Sequence, residues 1–109
     1  MEIKRVETDK KRYLDLLLLA DEQEDMVDRY LERGTMYVLE DGGVKAECVV
    51  TDEGDGILEL KNIAVAPDFQ GRGYGKALVE FLIRTYAGQY VTMQVGTGDS
   101  SYKIGRAHV

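Results

Sequence analysis

At 109 residues, 44% of them hydrophobic, the chain is long enough for one domain with its own core. A formal net charge of −6 argues against a general nucleic-acid binder, and no apolar run approaches the ~20 residues of a membrane span. Cys48 is the only cysteine, which excludes an intrachain disulfide. The opening M-E-I-K-R-V-E lacks a signal peptide's apolar segment, so the expected location is the cytoplasm.

In chain order, Glu2 to Glu7 alternates enough for a first strand, with Ile3 and Val6 inward. Thr8 then reads as the N-cap of a helix over Asp9 to Ala20, in which Tyr13, Leu14, Leu17 and Leu18 share a face. Asp21 opens a second helix. Its acidic first turn (Glu22, Glu24, Asp25) suits the helix dipole, and Met26, Val27, Tyr30 and Leu31 form its buried stripe. Arg33-Gly34 reads as its end. Thr35 to Glu40 and Val44 to Thr51 are predicted strands joined by an Asp41-Gly42-Gly43 hairpin turn. Val44, Ala46, Cys48 and Val50 alternate toward a core, where Cys48 packs rather than reacts. Gly54-Asp55-Gly56 turns into a further strand, Ile57 to Ala66, completing an antiparallel meander.

The stretch from Ile57 to Tyr86 carries the chemistry. Pro67-Asp68 stops the strand, Q-G-R-G-Y-G follows over Gln70 to Gly75, and an apolar helix runs from about Gly73 to Ala87. Glycines beside a helix start let a ligand approach the main chain, and the first-turn N–H groups have no partners within the helix. With the helix dipole these make a site for phosphate or pyrophosphate. Spacing rejects two phosphate loops. A Walker A loop needs Gly where Gln70 stands and a hydroxyl where Ala77 stands, and a dinucleotide loop needs G-x-G-x-x-G rather than G-x-G-x-G. Tyr90 to Val95 is a last strand, parallel to the Ile57 strand through the helical crossover.

These residues resemble the acyl-CoA-binding motif of the GNAT superfamily of N-acetyltransferases, Q/R-x-x-G-x-G/A. Gln70, Gly73 and Gly75 match it, as does the preceding N-I-A-V-A-P of Asn62 to Pro67. The resemblance implies an α/β fold with a mixed sheet in the order β-α-α-β-β-β-α-β. It implies that the turn of Gln70, Gly71, Arg72, Gly73, Tyr74, Gly75 and Lys76 holds the pyrophosphate of acetyl-CoA, mainly through backbone amides. It implies that the backbone of Ile63, Ala64 and Val65 pairs with the pantetheine arm. An amine, small-molecule or peptide, then attacks the thioester directly. The amine must lose a proton to do so, since an alkyl ammonium has a pKa near ~10.4. Glu59, upstream on the same strand, is the candidate base; its alternative is a strand Glu cross-paired with Lys61. Some relatives carry the base on the fifth strand, where this chain has Gln94, an amide that cannot do that work. Homodimers are common in the family, and nothing in this sequence specifies one. No Cys/His cluster has metal-ligand spacing.

Relatives usually continue with a helix and two more strands, including a tyrosine motif that supplies the general acid. Nothing after Val95 resembles that motif. Residues 97–109 are expected to be an irregular tail, with I-G-R-A-H-V at 104–109 resembling translated adapter sequence. His108, within it, is given no role. The chain is therefore expected to be the front of a longer acetyltransferase, cut between Asp99 and Lys103. The rival readings are a non-catalytic acyl-CoA-binding module and an inactive fragment whose fifth strand shows a bare edge.

Overall fold

The computed structural model describes residues 1–95 and, as backbone only, 100–103. Six strands lie side by side in chain order, β1 (Glu2–Val6), β2 (Thr35–Glu40), β3 (Val44–Gly54), β4 (Ile57–Val65), β5 (Thr92–Val95) and β6 (Ser100–Lys103). Every neighbouring pair is antiparallel except β4 and β5. That parallel pair is linked by α3 (Tyr74–Tyr86), because two strands running the same way need a crossover rather than a hairpin. Short helices α1 (Leu14–Ala20) and α2 (Glu24–Asp28) join β1 to β2.

The helices divide over the two faces of the sheet. On one face Tyr74, Leu78 and Leu82, spaced by four along α3, lie on Tyr37, Leu39, Ala46, Cys48, Val50, Leu58, Leu60 and Met93. Leu78 and Leu82 are fully buried, each worth about 1.5–3 kcal/mol. On the other face Leu17, Val27, Tyr30 and Leu31 cover Val6, Met36, Val38 and Val49. Both faces of the central strands are thereby dry.

Strands β1 to β5 and α3 stand close to where the pattern puts them, while the first two helices differ. Thr8 does not cap a helix: Asp9 sits in the left-handed region at φ 52° with no side-chain cap, and Lys10–Tyr13 form a 3-10 turn before α1. A distant contact sets this bend, as the Lys10 ammonium donates to the carbonyls of Leu31 and Gly34, both at 2.8 Å. Asp21 does not open α2 either. Asp21 and Gln23 are extended, α2 starts at Glu24, and the Asp21 carboxylate accepts from the Tyr30 hydroxyl at 3.2 Å.

Two strands also depart from strict alternation. Between Leu39 and Glu40 the β2–β3 register shifts, and Val44 packs with the α1–α2 cluster rather than with Ala46 and Cys48. Residues 100–103, expected in an irregular tail, pair with β5 from Thr92↔Lys103 to Val95↔Ser100. This satisfies backbone groups that would otherwise face outward, so β5 is not the bare edge expected. The expectations for 97–99, for 104–109 and for His108 lie outside the described residues.

Candidate active site

The glycine turn sits where β4 hands the chain to α3. Pro67–Phe69 makes one 3-10 turn, Gln70 is extended, and Gly73 is the residue before α3 at φ 87°. A side chain at Gly73 would meet nothing within 4 Å, so backbone conformation rather than crowding requires glycine there. Gly73 has no side chain to cap the helix, which leaves the amides of Tyr74, Gly75 and Lys76 without acceptors inside α3. The space beyond them is open and lies at the positive end of the helix dipole.

The side chains of the turn have distinct surroundings. The Gln70 amide donates back to the Val65 carbonyl at 3.2 Å, tying turn to strand. Arg72 and Lys45 both stand over the Phe69 ring, at 5.2 and 3.9 Å from its centre, which gathers positive charge beside the turn. Lys76 is exposed. Tyr74 is buried, and its hydroxyl donates to Asp41 at 2.6 Å, pinning the turn to the β2–β3 hairpin. That bond to a carboxylate raises the Tyr74 pKa, and the ring is a packing residue.

Strand β4 is paired unevenly. Among the described residues its register with β5 runs from Ile57↔Thr92 to Leu60↔Val95. On the opposite side β3 follows it as far as Ala46↔Val65. Among the described residues, then, nothing covers the outer edge of Asn62–Val65, which includes Ile63, Ala64 and Val65. An extended chain of donors and acceptors fits such an edge.

Glu59 lies further back on β4, on the order of 20 Å from Val65 at the usual rise of a strand. It is only 8% exposed. It opens into a cleft of about 340 Å³ between β4 and the α2 region, with Asp21, Arg29, Tyr30, Arg33 and Lys61 among its walls. One Glu59 oxygen faces Lys61 Nζ at 2.8 Å, and the other accepts from the Gln94 amide at 2.7 Å. Glu59 and Gln94 are direct partners in the β4–β5 register. Facing the cleft and pairing with Lys61, alternatives in the sequence, coexist. Gln94, unable to be a base, orients the carboxylate instead. Asp21 belongs to this cleft, whereas the Glu22, Glu24 and Asp25 cluster does not line it, and Glu24 is bound to Lys11 at 2.7 Å.

Beneath the cleft lies a polar group in which Asn62 makes a structural side-chain-to-backbone bond, one of its two sequence readings, and Glu47 is the residue that sequence reasoning missed. The Asn62 amide, buried, donates to the Leu17 carbonyl and to the Tyr30 hydroxyl, both at 3.0 Å. It ties α1 and the turn after α2 to the sheet. A register shift at Val49/Val50 lets Lys61 and Asn62, consecutive in sequence, both serve the α1–α2 side. Burial pushes the Tyr30 hydroxyl up to about 12. Glu47 on β3 is fully enclosed, without a hydrogen-bond partner, and burial pushes its carboxyl up to about 8. The available signal was topological: with two helices before the meander and one after it, a central strand is covered on both faces. Cys48 is fully buried and burial raises its thiol pKa, which keeps it inert. Among the described residues no three His, Cys, Asp or Glu side chains gather as a metal would need.

An uncapped glycine turn at a helix start, a strand edge left open among the described residues and a carboxylate at a cleft all lie along one chain segment. The profile of the acetyltransferase (GNAT) domain matches residues 32–104, and the chain belongs to the GNAT acetyltransferase family. It is 40% identical over 97 residues to an uncharacterised N-acetyltransferase, YvbK, of Bacillus subtilis, covering 87% of this chain and 62% of that protein. The chain thus spans less than two thirds of that relative's length. Among solved structures it resembles a GNAT family acetyltransferase from Elizabethkingia anophelis with acetyl-CoA bound, at 32% identity and TM-score 0.82, covering 91% of this chain and 66% of that one. It also resembles an IAA acetyltransferase from Bacillus cereus, at 37% identity and TM-score 0.81, covering 91% and 67% of the two chains. A Bacillus subtilis acetyltransferase in complex with CoA matches at 37% identity and TM-score 0.81, covering 91% and 66%.

Proposed function

We propose that this chain binds acetyl-CoA and is the cofactor-binding part of an enzyme that transfers the acetyl group to an amine by direct attack. The amides from Gly71 to Lys76 hold the pyrophosphate, Ile63, Ala64 and Val65 pair with the pantetheine arm, and Glu59 takes the proton from the amine. The observation that carries this is the layout along β4. The glycine turn stands at its end, the edge left uncovered among the described residues comes next, and the buried carboxylate lies at the open cleft. The separation suits a long thioester arm laid along the strand. The buried thiol of Cys48 favours direct attack over an acyl-cysteine intermediate.

Titration with acetyl-CoA, followed by NMR of the backbone amides, tests the binding step. Shifts concentrated at Gly71 to Lys76 and along Ile63 to Val65 are expected. An undisturbed turn at millimolar acetyl-CoA overturns the assignment. For the chemical step, Glu59→Gln should lower acetyl transfer by about 10²–10⁴-fold while leaving those shifts in place. The doubly engaged carboxylate of Glu59 also fits a second reading, a non-catalytic acyl-CoA-binding module. Binding without transfer to any amine, together with loss of stability in Glu59→Gln, would favour that reading.

A further inference from the structure

The acceptor cleft is more basic than a simple amine calls for. Three cations reach it, Arg29, Arg33 and Lys61, against the carboxylates of Asp21 and Glu59. This occurs on a chain with 20 acidic and 14 basic side chains, where a cation placed at random finds an acid easily. Two of the three are engaged: Arg33 with Glu53 at 3.2 Å and Lys61 with Glu59 at 2.8 Å. Arg29 makes no ion pair or side-chain hydrogen bond among the described residues. Its acidic sequence neighbour Asp28 is taken by Lys11 at 2.6 Å. An exposed guanidinium is thus left at the cleft wall, four residues before Arg33. A plain alkyl ammonium entering here would meet these cations unfavourably. A guanidinium's planar fork matches a carboxylate or phosphate.

We propose that the acceptor is a small amine that also carries an oxyanion group, carboxylate or phosphate, with the oxyanion held by Arg29 and the nitrogen at Glu59. The proposal rests on the acetyl-transfer reading of this cleft and names its substrate class. The reaction itself is unchanged. The ammonium gives one proton to Glu59 and the free amine attacks. An N–C bond forms to the thioester carbonyl, the C–S bond breaks with its electron pair leaving on sulfur, and the second nitrogen-bound proton passes to the departing CoA thiolate, which leaves as the thiol.

The test uses the chain saturated with CoA. It is titrated with α-, β- and γ-amino carboxylates, with 2-aminoethyl phosphate, and with the matched ethylamine and 1,2-diaminoethane. Amides around Arg29, Arg33 and Lys61 report acceptor binding, and those of Gly71 to Lys76 report the cofactor. At least one anionic amine should bind about ten- to a hundredfold more tightly than ethylamine, the span expected for hydrogen bonds to a charged group. In Arg29→Gln that ratio should collapse toward one. Which of carboxylate and phosphate binds identifies the oxyanion. Ethylamine or diaminoethane binding as well as the anionic amines overturns the proposal, as does a ratio that survives Arg29→Gln. Failure of every amine to bind while the turn responds to CoA also overturns it, and leaves the cofactor assignment standing. Silence of the turn removes both.

Discussion

The two faces of the sheet are both covered by helices but differently made. Under α3 the strands present Leu39, Ala46, Cys48, Val50, Leu58 and Leu60. Under α1 and α2 they present Glu47, Glu59 and Asn62 amid Met36, Val38 and Val49. The first face gains free energy from simple burial. The second gives part of that gain up, because an enclosed carboxyl without a partner costs stability. One side of the sheet therefore sets how firmly the chain folds, and the other holds polar groups in place against solvent.

Substitutions can break this contrast at three levels. The largest effect should come from Leu82→Ala under α3, a loss of about 2–5 kcal/mol in urea unfolding. A smaller and pH-dependent effect belongs to Glu47. Its folded carboxyl keeps a proton to about pH 8, while the unfolded chain releases it near 4.5. Between those values the folded state holds the extra proton, so stability falls as pH rises, by at most about 1.4 kcal/mol per pH unit. The contribution is complete below pH 4.5 and gone above pH 8. Glu47→Gln should flatten that slope, seen as a parent-minus-variant difference in unfolding midpoint that changes between pH 5 and 7.5. A difference independent of pH would show that Glu47 is ionised in the fold. The smallest effect should be Tyr37→Phe, which removes the 2.7 Å hydroxyl contact with Tyr86 at the rim of the α3 face. It should cost about 1 kcal/mol in the same assay.

What the sequence made legible is what short stretches encode. The glycine turn, the stop at Pro67, the hairpin at Asp41-Gly42-Gly43 and the helix after Gly73 follow from local torsions and periodicity, and they stand where the pattern put them. Elements fixed by distant contacts were not legible. The bend before α1 depends on Lys10 reaching carbonyls more than twenty residues away. The late start of α2 accompanies the bond between Asp21 and Tyr30. Glu47 alternates with Ala46 and Cys48 as a surface residue would, until two helices close over that side. Glu59 stood out by position, but its partner Gln94 is 35 residues away and reaches it only through the parallel crossover. The common side of Lys61 and Asn62 depends on a bulge that alternation cannot show.

Among the described residues β4 has no partner on its β5 side beyond Leu60, and this also matters to the protein when it is empty. Main-chain groups left without a neighbouring strand are an adhesive margin, where a second polypeptide can add itself. On the reading proposed above, a thioester ligand lying along that margin would act as a guard as well as a reactant. By binding only the folded form it raises resistance to unfolding in proportion to the logarithm of its concentration. On that reading, supply of the cosubstrate and freedom from clumping would be linked quantities.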